Sequence, residues 1–246
     1  MNLEKGNKGE KAETACKRML FARRTDTEYL MTVFGEDACD GIELVDAATR
    51  QPYADAESIK KAKSTSKADV SILLKRTNVV RHCSIKALVG AKPAILNHTP
   101  RSAAAFQTEL AECLPSLDML ASEYIAKRTR GEQGEDVAFS KLDVSADDTI
   151  KQNFMKALSY FVFVGTGSKR SPEECDAILI VEKDASLRFI DCHTDAKKQA
   201  YIETVVDKCV LSFRSKGMPT KIPTSCAPWI YTKDETKFCG SLHIRL

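Results

Sequence analysis

Residues 67–101 read KADVSILLKRTNVVRHCSIKALVGAKPAILNHTPR, and this stretch decides the fold. Val70, Ile72 and Leu74 alternate with Asp69, Ser71 and Leu73, the period-2 pattern of a strand with at least one buried face. A turn at Arg76, Thr77 and Asn78 precedes a second β-rich run, Val79 to Leu88, so the stretch predicts a hairpin. In that second run Ser84 and Lys86 project from one face, and Cys83, Ile85 and Ala87 from the other. An acid at the head of the first strand is thereby set beside a lysine on its neighbour.

Outward from the hairpin, the upstream segment is basic. Lys60, Lys61, Lys63, Lys67, Lys75, Arg76, Arg81 and Lys86 crowd around it, against Glu57 and Asp69. Such clustering suits a polyanionic partner, because each phosphate neutralised releases counterions; Lys60 to Lys67 taken alone also fit a solvated helix face. Residues 6–24 predict the first helix, with Ala12, Ala15, Cys16, Met19 and Leu20 on the inward stripe and Glu10 and Glu13 as surface neighbours. A short strand is expected over Tyr29–Phe34, followed by a mixed acidic segment.

Downstream, Val89 to Pro93 reads as a loop and Ala94-Ile95-Leu96 as a short apolar run. Thr99-Pro100 then has the form of an N-cap with proline in the first helical position, opening a helix towards Cys113. A helix is expected around Leu117–Lys127, and another after Ser145, Asp147 and Asp148, carrying Ile150, Phe154, Leu158 and Phe161 as core. The basic loop Gly165–Pro172 lacks the spacing of a phosphate-binding GxxxxGK[ST] loop, and its small residues and cations Lys169 and Arg170 fit a segment approaching a nucleic-acid backbone. A second hairpin, Ala177–Val181 and Leu187–Cys192, offers a rival motif, because Asp176 is followed fifteen positions on by Asp191-Cys192-His193. It ends in His where a lysine is wanted. A helix over Asp195–Val210 and strands at Trp229–Tyr231 and Ser241–Arg245 close the chain.

The 246 residues are enough for a sizeable core, and 43% hydrophobic with 29% charged residues is the composition of a soluble globular protein. A net charge of +3 says little by itself. Nine cysteines, an odd count without a CxxC pair, argue against a disulfide framework and a zinc ribbon, and for small buried hydrophobes in a reducing, intracellular compartment. No apolar N-terminal segment or membrane-length run is present.

Asp69, then Ser84-Ile85-Lys86, a glycine at position 90 and the run Leu96-Asn97-His98-Thr99 together resemble the active-site hairpin of the PD-(D/E)XK nucleases, and among them type II restriction endonucleases. The resemblance covers the first hundred residues or so. It implies an α/β (α+β) core with a mixed central sheet flanked by helices, within a single nuclease domain over 1–246. Residues 1–114 would be the catalytic core, and 115–246 would carry DNA-recognition and dimerisation elements. It further implies Asp69 as metal ligand, Lys86 as the motif lysine, the Ile85 carbonyl as a further ligand, and magnesium as the ion. Ser84 stands where the family has Glu or Asp. The family's N-terminal "Gly-Glu" helix makes Glu10, with Glu13 second, the candidate to supply the missing acid, although acids in a first helical turn also occur simply to complement the helix dipole. Asn97, Thr99, Arg101, Lys169 and Arg170 are the expected DNA contacts.

The expected activity is magnesium-dependent, sequence-specific hydrolysis of double-stranded DNA by a homodimer, in a host with a cognate DNA methyltransferase. The alternatives are a repair or junction-resolving nuclease of the same superfamily, and a catalytically inactive DNA-binding protein on the same fold.

Overall fold

The computed structural model describes residues 8–60, 66–88, 93–97, 100–134, 136–216, 230–233 and 236–245. In chain order the elements are α1 (Lys8–Ala22), α2 (Thr27–Phe34), β1 (Ile42–Val45), β2 (Val70–Leu74), β3 (Val79–Ala87), β4 (Ala94–Asn97), α3 (Pro100–Ala105), α4 (Leu114–Thr129), β5 (Asp136–Ala138), α5 (Asp148–Ser159), β6 (Ala177–Val181), β7 (Leu187–Asp191), α6 (Asp195–Val206), β8 (Val210–Lys216), β9 (Ile230–Lys233) and β10 (Thr236–Arg245). The fold is mixed α/β. Its contacts divide the chain into two compact units, residues 1–93 with 171–198, and residues 94–170 with 199–246.

The first unit is a five-stranded mixed sheet in the order β1-β2-β3-β6-β7. Every neighbouring pair is antiparallel except β3 and β6, which run parallel with Ser84 beside Ile178 and Lys86 beside Ile180. Both expected hairpins form, and they belong to one sheet. The helix α1 packs on β3 and α2 on β7. Cys16 and Leu20 of α1 and Leu30 and Phe34 of α2 join Val70, Ile72, Leu74, Cys83, Ile85, Ala177, Leu179 and Val181 in one core. Each large aliphatic side chain fully buried there contributes about 1.5–3 kcal/mol.

One expectation fails in this unit. Tyr29–Phe34 is helix, not strand: the Asp26 carboxylate accepts from the Tyr29 N–H at 3.2 Å, and Leu30 and Phe34, four apart, share the buried face. Phe34 meets Phe189 edge-on, with ring centroids 5.1 Å apart. The acidic segment after it contains β1, whose entry needs Gly41. There φ is +86°, and a Cβ would lie 2.8 Å from the Arg24 carbonyl oxygen, so the turn admits no side chain.

The second unit pairs β4-β10-β8-β5, with β9 on β10. Ile150, Phe154 and Leu158 of α5 are buried, as is Phe161, and Phe139 stacks on Phe154 at 4.5 Å. Asp147, rather than Ser145, caps α5, accepting from the N–H groups of Thr149 and Ile150 at 2.8 and 3.1 Å. The helix from Pro100 stops at Ala105 instead of reaching Cys113; the Leu110 N–H turns back to the Ala105 carbonyl at 2.9 Å, and the Thr108 hydroxyl bonds the Ala104 carbonyl at 3.2 Å. The last expected helix ends at Val206, and Val210 already begins β8. No helix among the described residues is long and apolar enough to cross a membrane. Cys16, Cys83, Cys113, Cys175, Cys192 and Cys209 are free and buried.

Candidate active site on the β2–β3 hairpin

The hairpin's register pairs Val70 with Cys83 and Leu74 with Val79; continued by one residue, that register would set Asp69 opposite Ser84. Opposed residues on antiparallel strands share a face. Asp69 donates its N–H to the Cys83 carbonyl at 2.8 Å, one residue out of step with that register, as where a strand bulges. Its Oδ2 accepts two bonds, from the Ile85 N–H at 2.7 Å and from the Ser84 hydroxyl at 3.3 Å. Ser84 is 1% exposed, so its hydroxyl faces the aspartate rather than solvent. Lys86, two residues on and half-buried, lies on the Ser84 side of the strand.

Lys67 joins this group. It was legible in the sequence only as one of many cations around the hairpin. Burial pushes its ammonium down to about 8, the charge of Lys86 pushes the same way, and Cys175 and Asp69 oppose. Asp69 and Lys86 thus both lie within electrostatic reach of Lys67. The strand entry that holds them is braced from the β6 side: the Lys67 N–H donates to the Ser171 hydroxyl at 2.8 Å and the Ala68 N–H to the Glu173 carbonyl at 3.3 Å.

The three N–H groups preceding β2, those of Lys67, Ala68 and Asp69, therefore have partners other than Ile85. The Ile85 carbonyl leaves the same edge of β3 as its N–H, which already points to Asp69, and none of these three donors takes it.

On α1, Glu13 is paired with Lys17 at 2.6 Å, and that lysine, fully buried, also bonds the Lys60 carbonyl at 3.0 Å. Cys16 sits within the field of both Glu13 and Asp69. Its thiol is pushed up to about 12, first by burial and then by these carboxylates against Lys17, so it stays protonated. Glu10 is a turn earlier and half-buried, and its carbonyl accepts the Thr14 hydroxyl at 3.1 Å. Glu13 is thus committed to Lys17 in a way the sequence did not reveal.

Ser71, His82 and Glu173 form a further polar cluster. The Ser71 hydroxyl is 2.8 Å from His82 Nδ1, and Glu173 Oε2 is 3.6 Å from the same nitrogen. A serine nucleophile needs the base through one ring nitrogen and the acid on the other. Both partners here meet Nδ1, so no such relay exists. Asp176, the acid of the rival motif, accepts from the His82 N–H at 2.6 Å, and burial raises its carboxyl above the usual range. Its companion Asp191 turns to Arg81, His193 and Lys197 at 3.5, 2.8 and 2.5 Å.

Of the expected DNA contacts, Lys169 and Arg170 are exposed in the loop after α5, which a bridge between Gly165 and Arg170 closes and the Tyr160 hydroxyl fastens to the Gly167 carbonyl at 2.6 Å. Asn97 ends β4 and Arg101 lies in the first turn of α3. Thr99 lies outside the described residues, as do Gly90 and His98.

Among the described residues no three His, Cys, Asp or Glu side chains are grouped to hold a metal ion. Magnesium, however, is commonly held through one or two carboxylates, with waters and substrate phosphates completing the octahedron. Asp69 and the Ile85 carbonyl, both hard oxygen donors on one edge of β3, fit that mode. In comparisons with known proteins, no family model matches the chain, and no curated protein or solved structure matches it.

Proposed function

We propose that the protein is a type II restriction endonuclease of the PD-(D/E)XK superfamily, hydrolysing phosphodiester bonds of double-stranded DNA at a short specific sequence with magnesium. The observation that carries this reading is the Asp69 carboxylate, held by the Ile85 N–H and Ser84 hydroxyl with Lys86 next on the same face. Asp69, the Ile85 carbonyl and Glu10 would hold the ion. When bound, magnesium polarises the phosphate and lowers the pKa of a coordinated water.

The chain's own groups do the remaining work. The Ile85 N–H and the Ser84 hydroxyl fix one carboxylate oxygen of Asp69, which leaves Oδ1 as its outward donor. Ser84 acts through Asp69 and so replaces the motif acid in position but not in charge. Lys86 and Lys67 supply positive charge where the phosphate gains negative charge in the transition state, and Lys86 orients the attacking water. Their mutual repulsion is relieved when a phosphate lies between them.

A two-fold homodimer would place one such site on each strand of a palindromic target, with a cognate DNA methyltransferase protecting the host's own copies of it. Digestion of a plasmid with the purified protein and magnesium tests the function: discrete fragments are expected. Smears or cutting confined to branched DNA would replace it with a repair or junction-resolving nuclease. Intact plasmid with retained binding would leave a DNA-binding protein on a nuclease-like fold.

A further inference from the structure

We infer that Arg50, oriented by the buried Glu173, is an anchored contact for a DNA backbone phosphate flanking the scissile one. This rests on the proposed DNA-cleaving function and adds to it a residue outside the motif.

Arg50 caps a tight turn. The Asp46 carboxylate accepts from the Ala48 and Thr49 N–H groups at 3.0 and 2.7 Å, and the Arg50 N–H returns to the Asp46 carbonyl at 2.8 Å. The backbone at Arg50 is left-handed, with φ +59°, a conformation that costs a β-substituted residue energy and persists only where the surroundings impose it. From that turn Nε and Nη2 of Arg50 both reach Oε1 of Glu173, at 2.7 and 2.5 Å.

The two partners differ in accessibility. The Glu173 side chain is 9% exposed, whereas that of Arg50 remains 74% exposed. A surface arginine paired with an equally exposed acid contributes little and wanders. Here the acid is sunk in the fold, so the guanidinium is fixed by one edge while its remaining donors face water. A planar fork with a fixed orientation and spare donors suits a phosphate oxygen.

Glu173 also ties this arginine to the active site. Its carbonyl accepts the Ala68 N–H, one residue from Asp69, and its Oε2 lies 3.6 Å from His82 Nδ1. His82, Ser84 and Lys86 alternate onto one face of β3. His82 stands four residues before Lys86, roughly 13 Å along the strand at about 3.3 Å per residue. That span exceeds one phosphate group, so Arg50 addresses a neighbouring phosphate. Such a contact positions the duplex and carries no sequence information.

The test is the salt dependence of duplex binding, measured by fluorescence anisotropy in EDTA on the full chain. Removing one phosphate contact lowers the slope of log K against log salt by about 0.9, which is roughly an eightfold loss at 0.1 M salt and none near 1 M. Arg50→Gln is expected to show that loss, and Arg50→Lys to keep the slope. Arg50→Gly, which relaxes the left-handed backbone, must show the same loss, so the test stands even if Arg50→Gln does not fold. An unchanged slope in Arg50→Gly, with wild-type protein that binds and cuts DNA, overturns the inference and leaves the nuclease reading standing. Wild-type protein that binds no duplex at low salt overturns both.

Discussion

The two hairpins of the first unit share a spacing and differ by one step of register. Asp69 stands fifteen residues before Ser84, and Asp176 fifteen before Asp191. In the first hairpin four residues separate Leu74 from its partner Val79, and the Asp69 carboxylate reaches the Ser84 hydroxyl. In the second, five residues separate Val181 from Leu187, and Asp191 pairs with Ala177 instead. Asp176 and Asp191 consequently project to opposite faces, one to the His82 N–H and the other to Arg81, His193 and Lys197. A single additional turn residue separates a converging pair from a diverging one. Motif spacing alone is therefore a weak guide, and the parity of the turn decides whether two residues meet.

The largest expected effect lies in the first hairpin. Asp69→Ala and Lys86→Ala should each lower the cleavage rate by about two to three orders of magnitude or more while duplex affinity is retained. Asp191→Asn, in the diverging pair, should cut at the wild-type rate. Equal losses from both hairpins in timed plasmid digests would erase the distinction.

The acids of α1 sharpen the same contrast between structure and chemistry. Glu13→Gln strips the buried Lys17 of its ion pair and should cost about 2–4 kcal/mol in urea unfolding. Glu10→Gln should slow cleavage at saturating magnesium. A slow but equally stable Glu13→Gln would reverse the two roles.

Asp118 on α4 provides a comparison from the second unit. Among the described residues one of its carboxylate oxygens is buried without a hydrogen-bond partner, and burial raises its pKa from 3.8 to about 6. Between those values the unfolded chain has released the proton and the folded chain has not, so stability falls as pH rises through that window and stays lowered above it. Asp118→Asn should raise Tm at pH 7–8 and leave it unchanged near pH 3. A gain independent of pH would assign the effect to something other than the charge.

The smallest effect separates the two turns themselves. Ala185 and Asn78 both have left-handed backbone, with φ +66° and +55°. Asparagine tolerates that region and alanine does not. Ala185→Gly should stabilise by about 0.5–1 kcal/mol and Asn78→Gly by close to nothing, with cleavage unaltered in both. Equal shifts in Tm would contradict the stored strain at Ala185.

What was legible in the sequence follows sequence distance. The β2–β3 hairpin, its turn and the closeness of Asp69 and Ser84 arise from local alternation and were readable. The β6–β7 hairpin was readable as well, but its union with the first was not, because the β3–β6 pairing joins residues such as His82 and Asp176 that are 94 positions apart. Glu173 and Arg50, 123 positions apart, left no local trace for the same reason. Tyr29–Phe34 was misread because Tyr, Val, Thr and Phe favour strands by propensity, whereas the Asp26 cap and the Leu30–Phe34 spacing impose helix. Glu13 ranked second to Glu10 for the missing acid, and its commitment to Lys17 left no local trace because the burial of Lys17 shows only in three dimensions.

The late arrival of β6 has a consequence for biosynthesis. When β3 leaves the ribosome, one of its edges is open, and the strand that fills it is not made until 94 residues later. At 5–20 residues per second that interval lasts roughly 5–20 s. Throughout it the nascent sheet ends at the strand bearing Lys86, without Ser171 and Glu173 to brace Lys67 and Ala68. An unpaired edge of this kind recruits other chains, so translation speed and chaperone cover over this interval should set the yield of native protein.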